Sequence, residues 1–211
     1  MNDTETPAGI SAGPVAVPVM TLDPDADLVR RFLEGDQHAF ETLFRKYQEP
    51  IFNMVSRMVP GEDAYDLTQD VFCNALRGLR RFRGDAKFST WIYSIARNVC
   101  LNRIRHIKCV REESLEAITE ERPNCEFSDE TVDIETIAEI HELQAVVNRV
   151  LAGMPPEQRL LITLRDFQQL SYEEIALITG MSLSNVKSRL HRARQAFKNR
   201  FKPYLPLLKG V

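Results

Sequence analysis

Lys187, Ser188, His191 and Arg192 lie one to five residues apart, a spacing that places all four on one side of a helix. They are hydrogen-bond donors of the kind that meet base edges in the major groove of duplex DNA. Ser184 and Gln195 extend the same side, and from Lys187 to Lys202 the chain has seven Lys or Arg and no carboxylate. The opposite stripe, Val186, Leu190, Ala193 and Phe197, recurs at three- and four-residue steps and has to be buried. Just upstream, Ser171 and Glu174 have the spacing of a capping box, and Tyr172, Ile175, Ala176 and Ile178 form an apolar face. Gly180 suits a helix C-terminus, and Ser182 or Ser184 can cap the next helix. Two short helices hinged at a glycine, the second one basic, form a helix-turn-helix, and DNA is the ligand this pattern selects.

The net charge of −3 across 211 residues hides a segregation. Arg77 to Arg111 holds ten basic residues against Asp85 alone, Glu112 to Glu142 holds twelve acidic residues against Arg122, and the C-terminal third is basic again. Two basic units joined by an acidic connector would present two phosphate-binding surfaces, each binding in a salt-dependent way. The hydrophobic fraction, 44%, is ample for packed cores. No apolar run reaches membrane-spanning length. Residues 1–22, rich in Pro, Gly and Ala and without a signal-peptide pattern, read as a disordered tail on a cytoplasmic protein.

The fold class expected is all-α: two small helical domains joined by a flexible acidic linker, the C-terminal one a helix-turn-helix. In the first half, a short helix spans Asp25 to Glu34, and Asp36 caps a longer one whose core stripe is Phe40, Leu43, Phe44, Tyr47, Ile51, Val55 and Met58. Pro60 and Gly61 break it. A third helix from about Asp63 turns Leu67, Val71, Phe72, Ala75, Leu76 and Leu79 inward and Asp66, Gln69 and Asp70 outward. After a loop containing Gly84 and Asp85, Ser89 or Thr90 caps a helix through Trp91 to Ile104. Pro155 and Pro156 open a helix with Leu160, Leu161, Leu164 and Phe167 inside. The linker is expected over about 109–138. Cys73, Cys100, Cys109 and Cys125 show no regular framework and default to reduced thiols, although Cys100, Cys109 and Cys125 with His106 could form a metal or redox site.

DLTQDVF at 66–72, FRGDAKFSTWIYSIARN at 82–98 and MPPEQRLLITLRDFQQLSYEEIALITGMSLSNVKSRLHRAR at 154–194 resemble regions two and four of bacterial RNA polymerase sigma factors. Without a middle domain, the chain is most similar to the extracytoplasmic-function (ECF) group of the sigma-70 family. The resemblance implies a factor without enzymatic activity or cofactor that binds core RNA polymerase, at the clamp coiled coil of the largest subunit and the flap of the second largest. It also implies promoter DNA as ligand, an anti-sigma factor as regulator and no membrane insertion. It assigns 23–108 to region two and 139–205 to region four, with 206–211 a tail.

Residue by residue, the resemblance gives Asp66, Gln69 and Asp70 to polymerase binding. Phe82, Arg83, Lys87, Phe88, Trp91, Arg97 and Asn98 fall to the minus-10 element, where a strand is opened and a base captured by stacking and edge hydrogen bonds. Arg80, Arg81, Arg103 and Arg105 add charge there, and Tyr93 is a further aromatic nearby. Ser184, Lys187, Ser188, His191 and Arg192 fall to the minus-35 element, with Arg189, Arg194 and Lys198 on phosphates. By the same resemblance the linker threads the polymerase and holds the domains apart; its acidity could instead shield the basic faces of the free factor.

Two other classes compete. A dimeric helix-turn-helix regulator acting without polymerase explains 171–202 but leaves DLTQDVF and FRGDAKFSTWIYSIARN without a purpose. A nucleic-acid enzyme would need a phosphate-cradling glycine loop, an HExxH or a carboxylate cluster beside a histidine, and the sequence has none of these.

Overall fold

The computed structural model describes residues 23–59, 61, 63–113 and 134–206, and among these every regular element is helical. The tail at 1–22, the middle of the expected linker and residues 207–211 lie outside the described residues. In chain order the helices are α1 (Ala26–Leu33), α2 (Gln37–Met58), α3 (Asp63–Leu79), α4 (Phe88–Glu113), α5 (Ile134–Ala152), α6 (Pro156–Ile162), α7 (Tyr172–Thr179) and α8 (Leu183–Phe201). Residues 109–113 and 134–138, read from sequence as linker ends, belong to α4 and α5.

The four N-terminal helices pack as α1 on α2, α2 on α3 and α3 on α4. The core stripe of α2 is buried at Leu43, Tyr47, Ile51, Val55 and Met58, and Asp36 caps the helix by accepting the His38 N–H at 3.0 Å. Two residues depart from expectation. Phe44 and Leu76 are exposed, because the apolar arc at these positions is wider than the surface the neighbouring helices cover. Phe44 packs at a tilt against Phe72, ring centroids 4.5 Å apart.

The start of α4 is also set differently from expectation. The helix begins at Phe88, ahead of Ser89 and Thr90, and its first N–H is accepted by the Asp23 carboxylate at 2.7 Å. Asp23 also accepts the Asp25 N–H at 3.0 Å, and buried Asp25 accepts from Lys46 Nζ and the Tyr47 hydroxyl. Burial and the adjacent Asp25 carboxylate both raise the Tyr47 pKa, so the phenol stays a donor. The three residues 23–25 thus tie α1, α2 and α4 together.

In the C-terminal half, α6 opens at Pro156 as expected, with Leu160, Leu161 and Leu164 buried. It does not end as an α-helix. A π-helical turn continues it over Thr163–Phe167, closed by Gln168 N–H to the Thr163 carbonyl at 3.0 Å. The extra residue per turn re-aims Phe167 and Gln168, and Gln169 completes the bend at φ 54°.

The two halves are packed against each other and share one contiguous buried cluster. α2 meets α5, α6 and the π turn, and α4 meets α6 and α7. Arg159 sits in this seam, 7% exposed, donating to Met58 O at 2.6 Å, Ala152 O at 2.5 Å and Met154 O at 3.2 Å. These carbonyls lie at the C-terminal ends of α2 and α5, where the helix dipoles favour a cation. Burial lowers the Arg159 pKa, but from a value so high that the guanidinium stays charged. Arg57 lies 4.3 Å from the Phe167 ring centroid across the same seam.

Arg159→Met preserves bulk and strips these carbonyls of their donor. It should lower the unfolding free energy by about 2–4 kcal/mol in a urea titration, and a loss below about 1 kcal/mol would mean water replaces the guanidinium without cost.

Candidate nucleic-acid interface

The helix-turn-helix is built as its sequence indicates. The Ser171 hydroxyl accepts the Glu174 N–H at 3.1 Å while the Glu174 carboxylate accepts the Ser171 N–H at 2.9 Å, completing the capping box. Burial works to raise the Glu174 pKa, but the Ser171 donors and Lys87 outweigh it and hold the carboxyl below its ordinary range. Gly180 ends α7 at φ 71°, a left-handed position. Of the two candidate caps for α8 the structure uses Ser182, whose hydroxyl accepts Asn185 N–H at 3.3 Å. Ser184 is left on the exposed side.

Val186, Leu190 and Ala193 are buried against α6, α7 and their neighbours, which turns Lys187, Ser188, His191, Arg192 and Lys198 to solvent. The flanking arginines are held in place. Arg189 donates to Glu157 at 3.1 Å and Asn185 at 3.0 Å, and Arg194 forks onto the Asp166 carboxylate. Lys187 Nζ hovers 5.7 Å from the Tyr172 ring centroid. Among the described residues, Arg192 makes only a long 3.4 Å contact with its own helix at Ser188 O.

A second basic surface lies around the start of α4. Phe82 and Trp91 are half-buried with ring centroids 5.0 Å apart, and the Trp91 ring runs beside Gly78, where an added Cβ would come within 3.1 Å. Phe88 is different. It is 1% exposed and packed on Tyr47 at 5.4 Å, so the ring is core and offers no surface for a base. Arg83 and Asn98 are exposed, with Arg97 donating to Asn98 Oδ1 at 3.2 Å. Arg103 is committed to Asp63 on α3 at 2.7 and 3.0 Å, and Arg105 to Asn102 at 2.7 Å. Lys87 pairs across the seam with Glu174 at 3.1 Å, and the Tyr93 hydroxyl donates to Gln168 at 2.8 Å. The two pairings across the seam had no sequence signal, because they join residues 87 and 75 positions apart. Asp66, Gln69 and Asp70 are all exposed on one face of α3.

Among the described residues no three His, Cys, Asp or Glu side chains gather as a metal site. Cys100 is buried in the core and its thiol is pushed up to about 12 by that burial, whereas Cys73 and Cys109 are exposed. Cys125 lies outside the described residues.

The donors of α8 face outward because its other side is filled by the helices that precede it, an arrangement that defines a helix-turn-helix DNA-binding protein. Similarity to known proteins specifies it further. Residues 43–108 match the family model for sigma-70 region 2, and residues 144–197 that for sigma-70 region 4. The chain is 38% identical over 184 residues to the ECF RNA polymerase sigma-E factor of Escherichia coli K12, covering 86% of this chain and 96% of that one. It is 34% identical over 191 residues to the RNA polymerase sigma-H factor of Pseudomonas aeruginosa, covering 89% and 98%. Its fold is shared with the Bartonella quintana sigma factor RpoE, solved with the anti-sigma factor NepR, at TM-score 0.63 and 21% identity over 77% of this chain and 96% of that one. It is shared equally with CnrH, solved with the cytosolic domain of CnrY, at TM-score 0.61 and 22% identity over 85% and 97%. The chain belongs to the ECF sigma factors of the sigma-70 family. It acts in transcription initiation, binding core RNA polymerase and directing it to promoter DNA.

Gly180→Ala meets no atom within 4 Å, so its cost is purely that of the left-handed backbone. A loss of about 1–2 kcal/mol in thermal unfolding is expected, and an unchanged midpoint would count against the hinge as drawn. Under native conditions N-ethylmaleimide should modify Cys73 and Cys109 and spare Cys100, as read by peptide mass mapping.

Proposed function

We propose that residues 23–108 dock on polymerase and read the minus-10 element, and that residues 139–205 read the minus-35 element. The observation that carries the second assignment is the division of labour on α8. Lys187, Ser188, His191 and Arg192 face solvent with no carboxylate partner among the described residues, whereas Arg189 and Arg194 are fixed by Glu157 and Asp166. Exposed polar groups without a carboxylate partner suit base edges; arginines braced by a carboxylate suit phosphates, as does Lys198. Ser184, at the exposed start of α8, joins the face that enters the groove.

For the minus-10 element, Phe82 and Trp91 supply the stacking surface, Arg83, Lys87 and Arg97 the charge along the strand, and Asn98 an amide for a base edge. Phe88 supports this surface from beneath. Asp66, Gln69 and Asp70 form the polar patch that meets the clamp coiled coil of the polymerase largest subunit, and region four meets the flap of the second largest. A sigma factor with these contacts works in the cytoplasm, and no described helix is long and apolar enough to cross a membrane. The solved relatives in complex with NepR and CnrY support control of this chain by an anti-sigma protein as well.

The test is transcription from genomic DNA by core polymerase with and without this chain, with transcript 5′ ends sequenced. New starts sharing two upstream motifs support the reading, and a chain that neither binds core nor adds starts refutes it. Arg192→Ala should cost about 1–3 kcal/mol on the recovered minus-35 duplex and relax selection at one base pair, whereas Arg194→Ala should weaken cognate and scrambled duplexes alike. Equal losses on both duplexes for Arg192→Ala would overturn the allocation. Reversing charge with Asp66→Lys and Asp70→Lys should abolish co-purification with core polymerase while leaving duplex binding intact.

A further inference from the structure

The helix that carries most of the minus-10 residues does not supply its own start. Lys87 precedes α4 and its ammonium can only donate, while Ser89 and Thr90 fall inside the helix. The Phe88 N–H, at the first helical position where no intrahelical acceptor exists, is accepted by Asp23 Oδ2 at 2.7 Å. Asp23 is itself fixed, because its other carboxylate oxygen accepts the Asp25 N–H at 3.0 Å and its carbonyl accepts the Ala26 N–H at 3.1 Å. The same short segment holds the Phe88 ring. That ring lies 5.4 Å from the Tyr47 ring, and the Tyr47 hydroxyl donates to buried Asp25. The main chain and the side chain of Phe88 are thus set by the neighbouring carboxylates of Asp23 and Asp25. Phe82 and Trp91 pack against Phe88, ring centroids 6.4 and 5.7 Å away, so the placement of this stacking pair follows from where Phe88 is held. Residues 23–25 lie outside the segment 43–108 that matches sigma-70 region 2.

We propose that Asp23 is a positioning residue for strand opening: through the Phe88 N–H it fixes the first turn of α4, and with it the Phe82–Trp91 surface, in the geometry that receives the separated minus-10 strand. Asp23 touches no DNA in this role and acts through Phe88. Its negative charge at the N-terminus of α4 also complements the helix dipole. A surface ordered in advance takes up the strand without the entropy loss of ordering it during capture. None of the hydrogen bonds or ring contacts in this chain involves α3 or α8, so core binding and minus-35 recognition do not depend on it. The inference rests on the minus-10 assignment proposed above.

The test uses core polymerase reconstituted with the full chain, on a promoter recovered from the transcript mapping, with open-complex formation followed over a range of holoenzyme concentrations. The concentration dependence separates initial binding from the limiting rate of strand opening, and that limiting rate does not change with the fraction of factor that is folded. Asp23→Ala should lower the limiting rate about tenfold and leave initial binding unchanged. Asp23→Asn, which keeps an acceptor for the Phe88 N–H without the charge, should bring the rate back to within about threefold of the unsubstituted chain. Removing a carboxylate near DNA would by charge alone favour the protein on its polyanionic ligand. An unchanged or faster limiting rate for Asp23→Ala therefore overturns the positioning role, and so does a loss for Asp23→Asn as large as that for Asp23→Ala. Trp91→Ala distinguishes this role from the assignment beneath it. If Trp91→Ala opens the promoter at the ordinary rate, the minus-10 assignment fails and the role of Asp23 falls with it. If Trp91→Ala slows opening and Asp23→Ala does not, the assignment stands and the role of Asp23 alone is overturned.

Discussion

One guanidinium sits where two helix C-termini meet. Arg159 donates to carbonyls at the ends of α2 and α5, and those ends belong to different halves of the molecule. Helix termini leave carbonyls without partners, and burying them against each other would be prohibitive without a cation to satisfy them. The arginine satisfies both sets at once, so the seam can close over apolar side chains such as Leu151 and Leu161 instead of remaining wet. The placement of α6 and of the π turn beyond it depends on this junction, and through them so does the support beneath α8.

Charge is used in two distinct ways across the chain. Where a basic residue has a carboxylate within reach, as in Arg103 with Asp63 or Arg194 with Asp166, it orients one helix on another. Where it has none among the described residues, as with Lys187 and Arg192, it remains available to an outside ligand. A chain with net charge −3 can thus bind a polyanion, because the acidic residues are concentrated elsewhere in the sequence or spent on bracing.

Much of this was legible from local patterns. The capping box at Ser171, the left-handed Gly180 and the buried stripe of α8 follow from residue types within a few positions of each other, which is the range over which caps and helical periodicity act. The exposure of Asp66, Gln69 and Asp70 followed from the same periodicity. What escaped were features set by distant partners. Asp23 decides where α4 starts from 65 residues away, and Phe88, an aromatic beside charged neighbours, turned out to be core because Tyr47 waits beneath it. The π turn left no signal either, since Thr163 to Phe167 reads as ordinary helix.

That turn has a bearing on how such a protein can change over time. A π-helical turn contains one residue more than the α-helix it interrupts, and each residue of α-helix rotates the chain beyond it by about 100°. Removing a single residue from Thr163–Phe167 would restore regular helix and swing Phe167 and Gln168 away from the first half of the molecule. No residue at the DNA face would need to change. The coupling between the halves is therefore governed by chain length at one point, and because the same turn carries Asp166, a one-codon deletion there would also shift the brace on Arg194.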